Sequence, residues 1–308
     1  MPHFQAGVVG ALAMRSRLDA MHRDLAHFSV RAIPHLLAFR PDITMLAESV
    51  WPVVAAKAAR QLGGKDTRIV VTSHTGWSSL PRDDLRLGVD GFVALQPEVF
   101  QKATDFTRGR IPVQLIPNGV DVAHFANAAA APIPLSAPIA IVVSALVDYK
   151  RIDLAIRATA HAGLSLLVIG DGPNINALTS LARELLGPAA FLHLPNIPHD
   201  AIAPYYRAAQ IFTLPSMASE GFGMTILEAM AAGLPVVVNN DPARRWIAGS
   251  TGWFVDPENI TEYAKVLRLA VERGADPSAQ NHVARFSWNA VAQDYAEFFV
   301  QLLAAKPT

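Results

Sequence analysis

The residues in this chain best suited to chemistry lie in one stretch, Ser219-Glu220-Gly221-Phe222-Gly223-Met224-Thr225-Ile226-Leu227-Glu228. Gly221 and Gly223 let the backbone approach a ligand closely, because neither carries a Cβ. From Met224 onward the residues are good helix formers, and Gly233 and Pro235 stop the run. A Gly-rich loop that opens into a helix presents unpaired N–H groups and the positive end of a dipole, an arrangement suited to a diphosphate. Glu220 sits in the loop and Glu228 lies further into the helix. Two acceptors that flank an anion position could grip hydroxyls of a sugar and of a ribose. The same spacing also fits a plainer arrangement, with Glu220 capping the helix and Glu228 facing water.

Positioning such a loop requires strands and helices in regular alternation. The apolar runs Ile139–Ala145, Ser165–Ile169, Phe191–Leu194, Ile211–Leu214, Pro235–Val238 and Trp253–Val255 read as strands. Helical patterns near 151–162, 174–186, 199–209, 223–232 and 242–248 separate them. This alternation predicts βαβ units and a parallel sheet covered on both faces. The front half repeats the pattern with fewer strands: Ile43–Ala47, Ile69–Ser73, Phe92–Leu95 and Val113–Ile116. Residues 11–38 look helical, with an apolar stripe through Leu12, Met14, Leu18, Met21 and Leu25. Two more helices, near 260–273 and 287–304, follow at the end. The uncharged Ala/Pro-rich segment Ala126–Pro138 reads as a linker or a wandering surface stretch. Two α/β sheets in series place the expected binding site in the cleft between them.

Composition narrows the function classes. The 308 residues suggest about two domains. Hydrophobic residues make up 51% and charged residues 17%, which supports real cores and excludes a disordered chain. Lys+Arg and Asp+Glu are both 26, so the basic excess expected of a nucleic-acid binder is missing. Without cysteine, disulfides, iron–sulfur clusters, thiol nucleophiles and thiolate zinc sites are excluded. No apolar run approaches the ~18 residues of a membrane span, and the first residues lack the layout of a secretory signal. A cytoplasmic protein is therefore expected. Arg15, Arg17 and Arg23 form a basic stripe that could touch the inner face of a membrane, although a plain amphipathic helix packed on the sheet is the favoured reading.

Six motifs in order carry a family resemblance. Pro41-Asp42-Ile43 opens a strand, and Val70-Val71-Thr72-Ser73-His74 ends one on a histidine. Ile116-Pro117-Asn118-Gly119-Val120-Asp121, Tyr149-Lys150-Arg151-Ile152-Asp153 and Gly170-Asp171-Gly172-Pro173 follow, and Glu220 to Glu228 completes an E-x7-E spacing. Over roughly residues 40–275 the chain resembles the family 4 retaining glycosyltransferases. The resemblance implies a GT-B fold, in which two Rossmann-like parallel-sheet domains face a cleft. The expected division is a shortened N-terminal acceptor-side domain over residues 1–131 and a nucleotide-sugar-binding domain over 132–286. The helix 287–304 would return to the first domain, because Trp288, Val291, Tyr295, Phe299 and Leu302 recur at helical spacing and need a partner surface.

The resemblance also implies roles for residues. His74, Lys150 and Glu220 would be catalytic. Arg151, Gly170, Gly172, Asn196, Ile197, Gly221, Phe222, Gly223, Met224, Thr225 and Glu228 would bind the donor, with Glu220 on sugar hydroxyls, Glu228 on ribose and Asn196 and Ile197 at the base. As the donor bond breaks, charge builds on phosphate oxygen, and preorganised positive groups are the main requirement. Lys150 and the amides of Gly221–Thr225 can supply them, and Arg151 could add a fork. No Asp-x-Asp occurs in the sequence, so no metal and no other cofactor is expected. The implied donor is a UDP- or GDP-sugar, the acceptor a glycan or lipid-linked hydroxyl, and the setting glycan or glycolipid synthesis. Three departures stand out. Ser144-Ala145-Leu146 replaces the usual Gly-Arg-Leu, Trp246 stands where many relatives carry glutamate, and the Pro-Asp strand arrives early, at residue 42. A nucleotide-sugar-binding pseudoenzyme or partner subunit is the alternative reading. The remaining patterns suggest no chemistry: His193 and His199 read as structural histidines, and Asn259-Ile260-Thr261 as a chance sequon.

Overall fold

The computed structural model describes residues 3–74, 82–217 and 221–305, with side chains from Ala20 onward apart from Met21. The first sheet holds β1 (Ile43–Ala47), β2 (Arg68–Thr72), β3 (Gly91–Ala94) and β4 (Val113–Leu115), parallel and in that order. The second holds β5 (Ile139–Val143), β6 (Ser165–Ile169), β7 (Phe191–Leu194), β8 (Ile211–Leu214), β9 (Val236–Asn239) and β10 (Trp253–Val255). Its order is β10-β9-β8-β5-β6-β7, again parallel. Every residue of β2, β3, β5, β6, β8 and β9 is buried. Burial of every residue is what helices on both faces of a parallel sheet produce, and it explains why these strands read as continuous apolar runs.

The first sheet separates its residues by their period of two. Ile69, Val71, Phe92 and Ala94 enter one core, with Val53 and Ala56 of the helix Val50–Gly63 and Val99 and Ala103 of the helix Pro97–Thr107. Val70 and Val93 point the other way and meet Val291, Phe298 and Leu302 of the final helix, Trp288–Ala304. The chain end therefore closes the second face of the first sheet, and the Arg68 guanidinium donates to the Ala305 carbonyl at 2.6 Å. Phe298 is the deep aromatic here, while Tyr295 and Phe299 pack at the margin and Trp288 is exposed. Gly91 tests this docking. A Cβ there would come 2.9 Å from the Phe298 ring and 3.1 Å from Leu302. Gly91→Ala is expected to cost about 1–3 kcal/mol by overpacking, read as a lower urea midpoint. An unchanged midpoint would mean the final helix is not seated there.

The handover between the cores falls earlier than residue 131. Val120 and Phe125 belong to the core of the second sheet, where the Phe125 ring meets Tyr206 edge-on at 5.6 Å between centroids. The helix Val122–Asn127 thus belongs with the second domain, capped by the Asp121 carboxylate on the His124 amide. The outgoing and returning chains touch at the crossing, where the Val120 amide donates to the Phe286 carbonyl at 2.8 Å. Gly119 leaves room there for the Trp288 ring, which a Cβ would approach to 2.4 Å and displace. Of the two readings of the Ala/Pro-rich segment, the surface stretch is the one observed, with exposed and half-buried residues from 128 to 138. Ile133 and Leu135 pack on the second core, and the Ala131 amide donates to Pro204.

The helix His3–Phe39 precedes β1 and packs on Val50–Gly63. Of its expected apolar stripe only Leu25 is among the described side chains, and Arg15 and Arg17 lie outside them. Among the described residues no helix is long and apolar enough to cross a membrane. The sequon has a local structural role: the Asn259 side chain accepts from the Glu262 amide at 3.1 Å and caps the helix Ile260–Arg273.

Candidate functional site

Strand β5 pairs with both β6 and β8, so the connections on its two sides run in opposite directions across the sheet. Such a switch point leaves a crevice at the carboxyl ends of the two strands, where ligands of open α/β sheets bind. The loop after β5 carries Lys150 and the loop after β8 leads to Gly221. Two bonds tie these loops together: the Met217 amide donates to the Tyr149 carbonyl at 2.8 Å, and Arg151 Nε donates to the Pro215 carbonyl at 2.9 Å. Lys150 is half-buried, with its ammonium 5.3 Å from the centre of the Tyr149 ring. Arg151 is placed differently from the sequence expectation. Its second nitrogen pairs with Glu258 at 3.2 Å, so the guanidinium staples the two loops instead of standing ready as a fork for a diphosphate.

Gly170 and Gly172 also have a packing role that the sequence did not reveal. A Cβ on Gly170 would lie 1.9 Å from the Ser144 carbonyl oxygen, and one on Gly172 would lie 2.5 Å from that of Leu146. The loops after β5 and β6 therefore run backbone against backbone, joined by the Leu146 amide on the Asp171 carbonyl at 2.8 Å. These glycines shape the crevice by letting its walls close. Beyond β7, Asn196 is exposed in the left-handed region, at φ 52, and its amide reaches Asp171 at 3.4 Å. Ile197 rests against the core at the same rim. His193 bonds the Gly170 carbonyl at 2.8 Å, a structural contact.

Glu220 and Ser219 lie outside the described residues. From Gly221 on, the loop is anchored by Phe222, whose buried ring stacks edge-on with Trp246 and Phe286. Phe222 thus holds the loop through its side chain, and Trp246 fills that aromatic cluster. Gly223, at φ 79, turns the chain into the helix Met224–Ala231, with Met224 and Thr225 half-buried at its first positions. Glu228 does not face water, since it is only 4% exposed. One carboxylate oxygen accepts from the Tyr206 hydroxyl at 2.7 Å, and the other lies 3.0 Å from His199 Nε2. Burial, then the Glu228 charge and hydrogen bond, push the Tyr206 hydroxyl well above its ordinary range, so it remains a neutral donor. His199, expected to be merely structural, is a largely exposed ring standing over Glu228.

From the first domain, His74 is exposed just beyond β2, its Nε2 3.0 Å from the Thr72 hydroxyl. Glu48, beyond β1, accepts from Ser73 Oγ at 2.9 Å and from the His74 amide at 3.1 Å, so it fixes the turn that presents the histidine. Asp84 is 3% exposed. Burial first, then the charges of Glu48 and Asp83, raise its carboxyl to about 6. Its folded pKa lies above the ordinary 3.8, so folding favours the protonated form. The stability it contributes is full below about 3.8 and is lost as pH rises through about 6. Asp84→Asn is expected to remove that decline and to raise the urea midpoint at pH 7.5 relative to the parent. An identical pH profile in both proteins would refute the assignment.

The architecture is that of the GT-B glycosyltransferases: two parallel-sheet α/β domains, one of them with a Gly-rich loop at its switch point. A glycosyltransferase from Rickettsia africae superposes with a TM-score of 0.72 at 18% identity, covering 92% of this chain and 82% of that one. Sucrose-phosphate synthase from Thermosynechococcus elongatus gives 0.71 at 21% identity, covering 89% and 76%. Anabaena HepE, solved with UDP, gives 0.72 at 18%, covering 89% and 82%. The chain belongs to the glycosyl transferases group 1 family, whose model matches residues 125–289. It is similar to a D-inositol 3-phosphate glycosyltransferase of Acidothermus cellulolyticus, 29% identical over 64% of this chain and 49% of that protein. It is also similar to a GDP-mannose-dependent α-(1-6)-phosphatidylinositol monomannoside mannosyltransferase of Mycobacterium tuberculosis, 26% identical over 82% of this chain and 75% of the relative. The chain thus spans about half of the first relative and three quarters of the second.

Proposed function

We propose that this protein is a family 4 retaining glycosyltransferase that moves a sugar from a UDP- or GDP-sugar to a hydroxyl of a glycan or lipid-linked acceptor. The observation that carries this reading is the convergence of Lys150 and the Gly-rich loop at the β5/β8 switch point, tied by the Met217–Tyr149 bond. Relatives named for GDP-mannose and a structural neighbour solved with UDP support the donor class. In the transfer, the bond between the anomeric carbon and the diphosphate oxygen breaks and one from that carbon to the acceptor oxygen forms. The acceptor proton passes to the leaving diphosphate. Lys150 and the amides at the start of Met224–Ala231 meet the charge that builds on that oxygen. Glu228 receives the ribose hydroxyls, Glu220 the sugar hydroxyls, and His74 stands at the reacting carbon from the first domain. No metal takes part in this scheme.

The test is a thermal-shift series with UDP, GDP, ADP and their sugars, followed by turnover with candidate acceptors. A nucleotide at 100 times its Kd should add about 2.7 kcal/mol of stability. The anomeric configuration of the product, read by NMR, decides retention. Activity should survive EDTA, and loss restored by manganese or magnesium would overturn the metal-free scheme. No shift with any nucleotide would defeat the donor assignment. Binding without turnover against every acceptor would instead mark a nucleotide-sugar-binding partner subunit.

A further inference from the structure

Gln96 is a residue that neither the motifs nor the roles above include. It follows β3 and occupies the position just before the helix Pro97–Thr107. That position ordinarily holds a short side chain that caps the helix amides. Gln96 makes no such cap. Its side chain crosses to the second domain, where Nε2 donates to the Gly221 carbonyl at 2.6 Å. The residue is only 2% exposed, and its Oε1 is buried with no hydrogen-bond partner. A buried amide oxygen left unmet is a net cost to folding, so the fold retains this side chain against a penalty that an apolar residue would avoid. Gly221 also lies close to the His74 turn, since a Cβ on it would come 3.1 Å from the His74 carbonyl oxygen. Three residues from three loops thus meet at one point between the domains.

We propose that Gln96 is a positioning residue for glycosyl transfer: it fixes the Gly-rich loop of the second domain against the His74 turn of the first. The mechanism is the rigidity of the peptide bond. The Gly221 carbonyl and the Phe222 N–H share one trans plane and point in opposite directions, so holding the carbonyl sets the direction of that amide. On its other side Phe222 is locked by Trp246 and Phe286. Gly221 and Phe222, just before the turn into Met224–Ala231, are then held from two sides, by an amide from the other domain and by an aromatic cluster within their own. Opening the cleft breaks the amide contact and lets both of its polar ends reach water, which relieves the unmet Oε1. The latch is therefore self-opposed and reversible, and a bound donor can decide its state.

The experiment compares Gln96→Met, which keeps the volume and removes the donor, with Gln96→Glu, which places a second acceptor against the Gly221 carbonyl, and with Gln96→Ala. Hydrogen exchange of the peptide covering 221–225 is measured first, without any ligand. Exchange there should be about tenfold faster in Gln96→Met and faster still in Gln96→Glu, with that of β5 and β8 unchanged. The role rests on the proposed transfer reading, and a second measurement addresses that link: kcat/KM for the UDP- or GDP-sugar that the parent turns over should fall about tenfold in Gln96→Met. A residue that merely fills space would give the opposite pattern, with Gln96→Met silent and only Gln96→Ala affected. That pattern, or equal exchange in Gln96→Met and Gln96→Glu, overturns the proposal. A parent that binds neither UDP nor GDP yet shows the exchange pattern would defeat the transfer reading and leave the latch standing.

Discussion

Lys150→Ala is expected to lower kcat for the nucleotide sugar by about 10²–10³-fold, the effect of removing one preorganised charge-stabilising donor from an active site. The size follows from the surroundings. The cation next to the half-buried ammonium in sequence, Arg151, is committed to the Pro215 carbonyl and to Glu258. Residue 145 is alanine, so the loop after β5 brings no second cation from that position. Lys150→Arg should recover only part of the rate, since a broad planar fork does not reproduce a compact point charge. Affinity for the bare nucleoside diphosphate should fall much less than kcat, because the charge that Lys150 meets grows as the bond breaks. The measurement is kcat at saturating donor beside calorimetric titration with UDP or GDP. A fall of less than about threefold in kcat would remove Lys150 from the chemistry.

Glu228→Gln should weaken binding of the bare nucleotide by about tenfold or more, the worth of a lost hydrogen bond to a charged group. Glutamine is the informative substitution. Glu228→Ala would strand the fully buried Tyr206 hydroxyl and confuse a folding loss with a binding loss. Tyr206→Phe provides the control: it leaves the carboxylate in place but frees its orientation, and should weaken nucleotide binding less than Glu228→Gln does. Glu220→Ala should spare the bare nucleotide and reduce turnover of the nucleotide sugar, since its assigned contacts lie on the transferred ring. Calorimetry with the diphosphate separates the two glutamates. Equal losses in the Glu220 and Glu228 variants, or no loss in Glu228→Gln, would dissolve the assignment of ribose to one and sugar to the other.

Much of the second domain was legible in the chain because its information is local. Ser165–Ile169, Phe191–Leu194, Ile211–Leu214 and Trp253–Val255 are strands with the bounds that the apolar runs indicate. The helix Met224–Ala231 is bounded by Gly223, which supplies a left-handed turn, and by the stop at Gly233 and Pro235. Apolar period, helix-forming run and glycine punctuation are properties of neighbouring residues, and tertiary packing did not override them here. The front half was less legible. The helix Val50–Gly63 buries Val53 with Ala55, Ala56 and Ala59, and Pro97–Thr107 buries only Val99, Ala103 and Thr107, so neither offers a run of large apolar residues to mark it.

The sequence by itself determined the alternation of strands and helices, the Gly-rich loop before its helix, and the group of residues from which a donor site could be assembled. The tertiary structure alone decided what each of those residues touches. Arg151 as a staple, Gly170 and Gly172 as points of backbone contact, and His199 over Glu228 all depend on loops from different strands meeting at one sheet edge. The bond from Gln96 to Gly221 joins residues 125 positions apart, in different domains. Such contacts leave no mark on local composition or period. They are fixed by strand order in the second sheet and by the return of the final helix to the first, and both are outcomes of how whole elements bury their apolar faces.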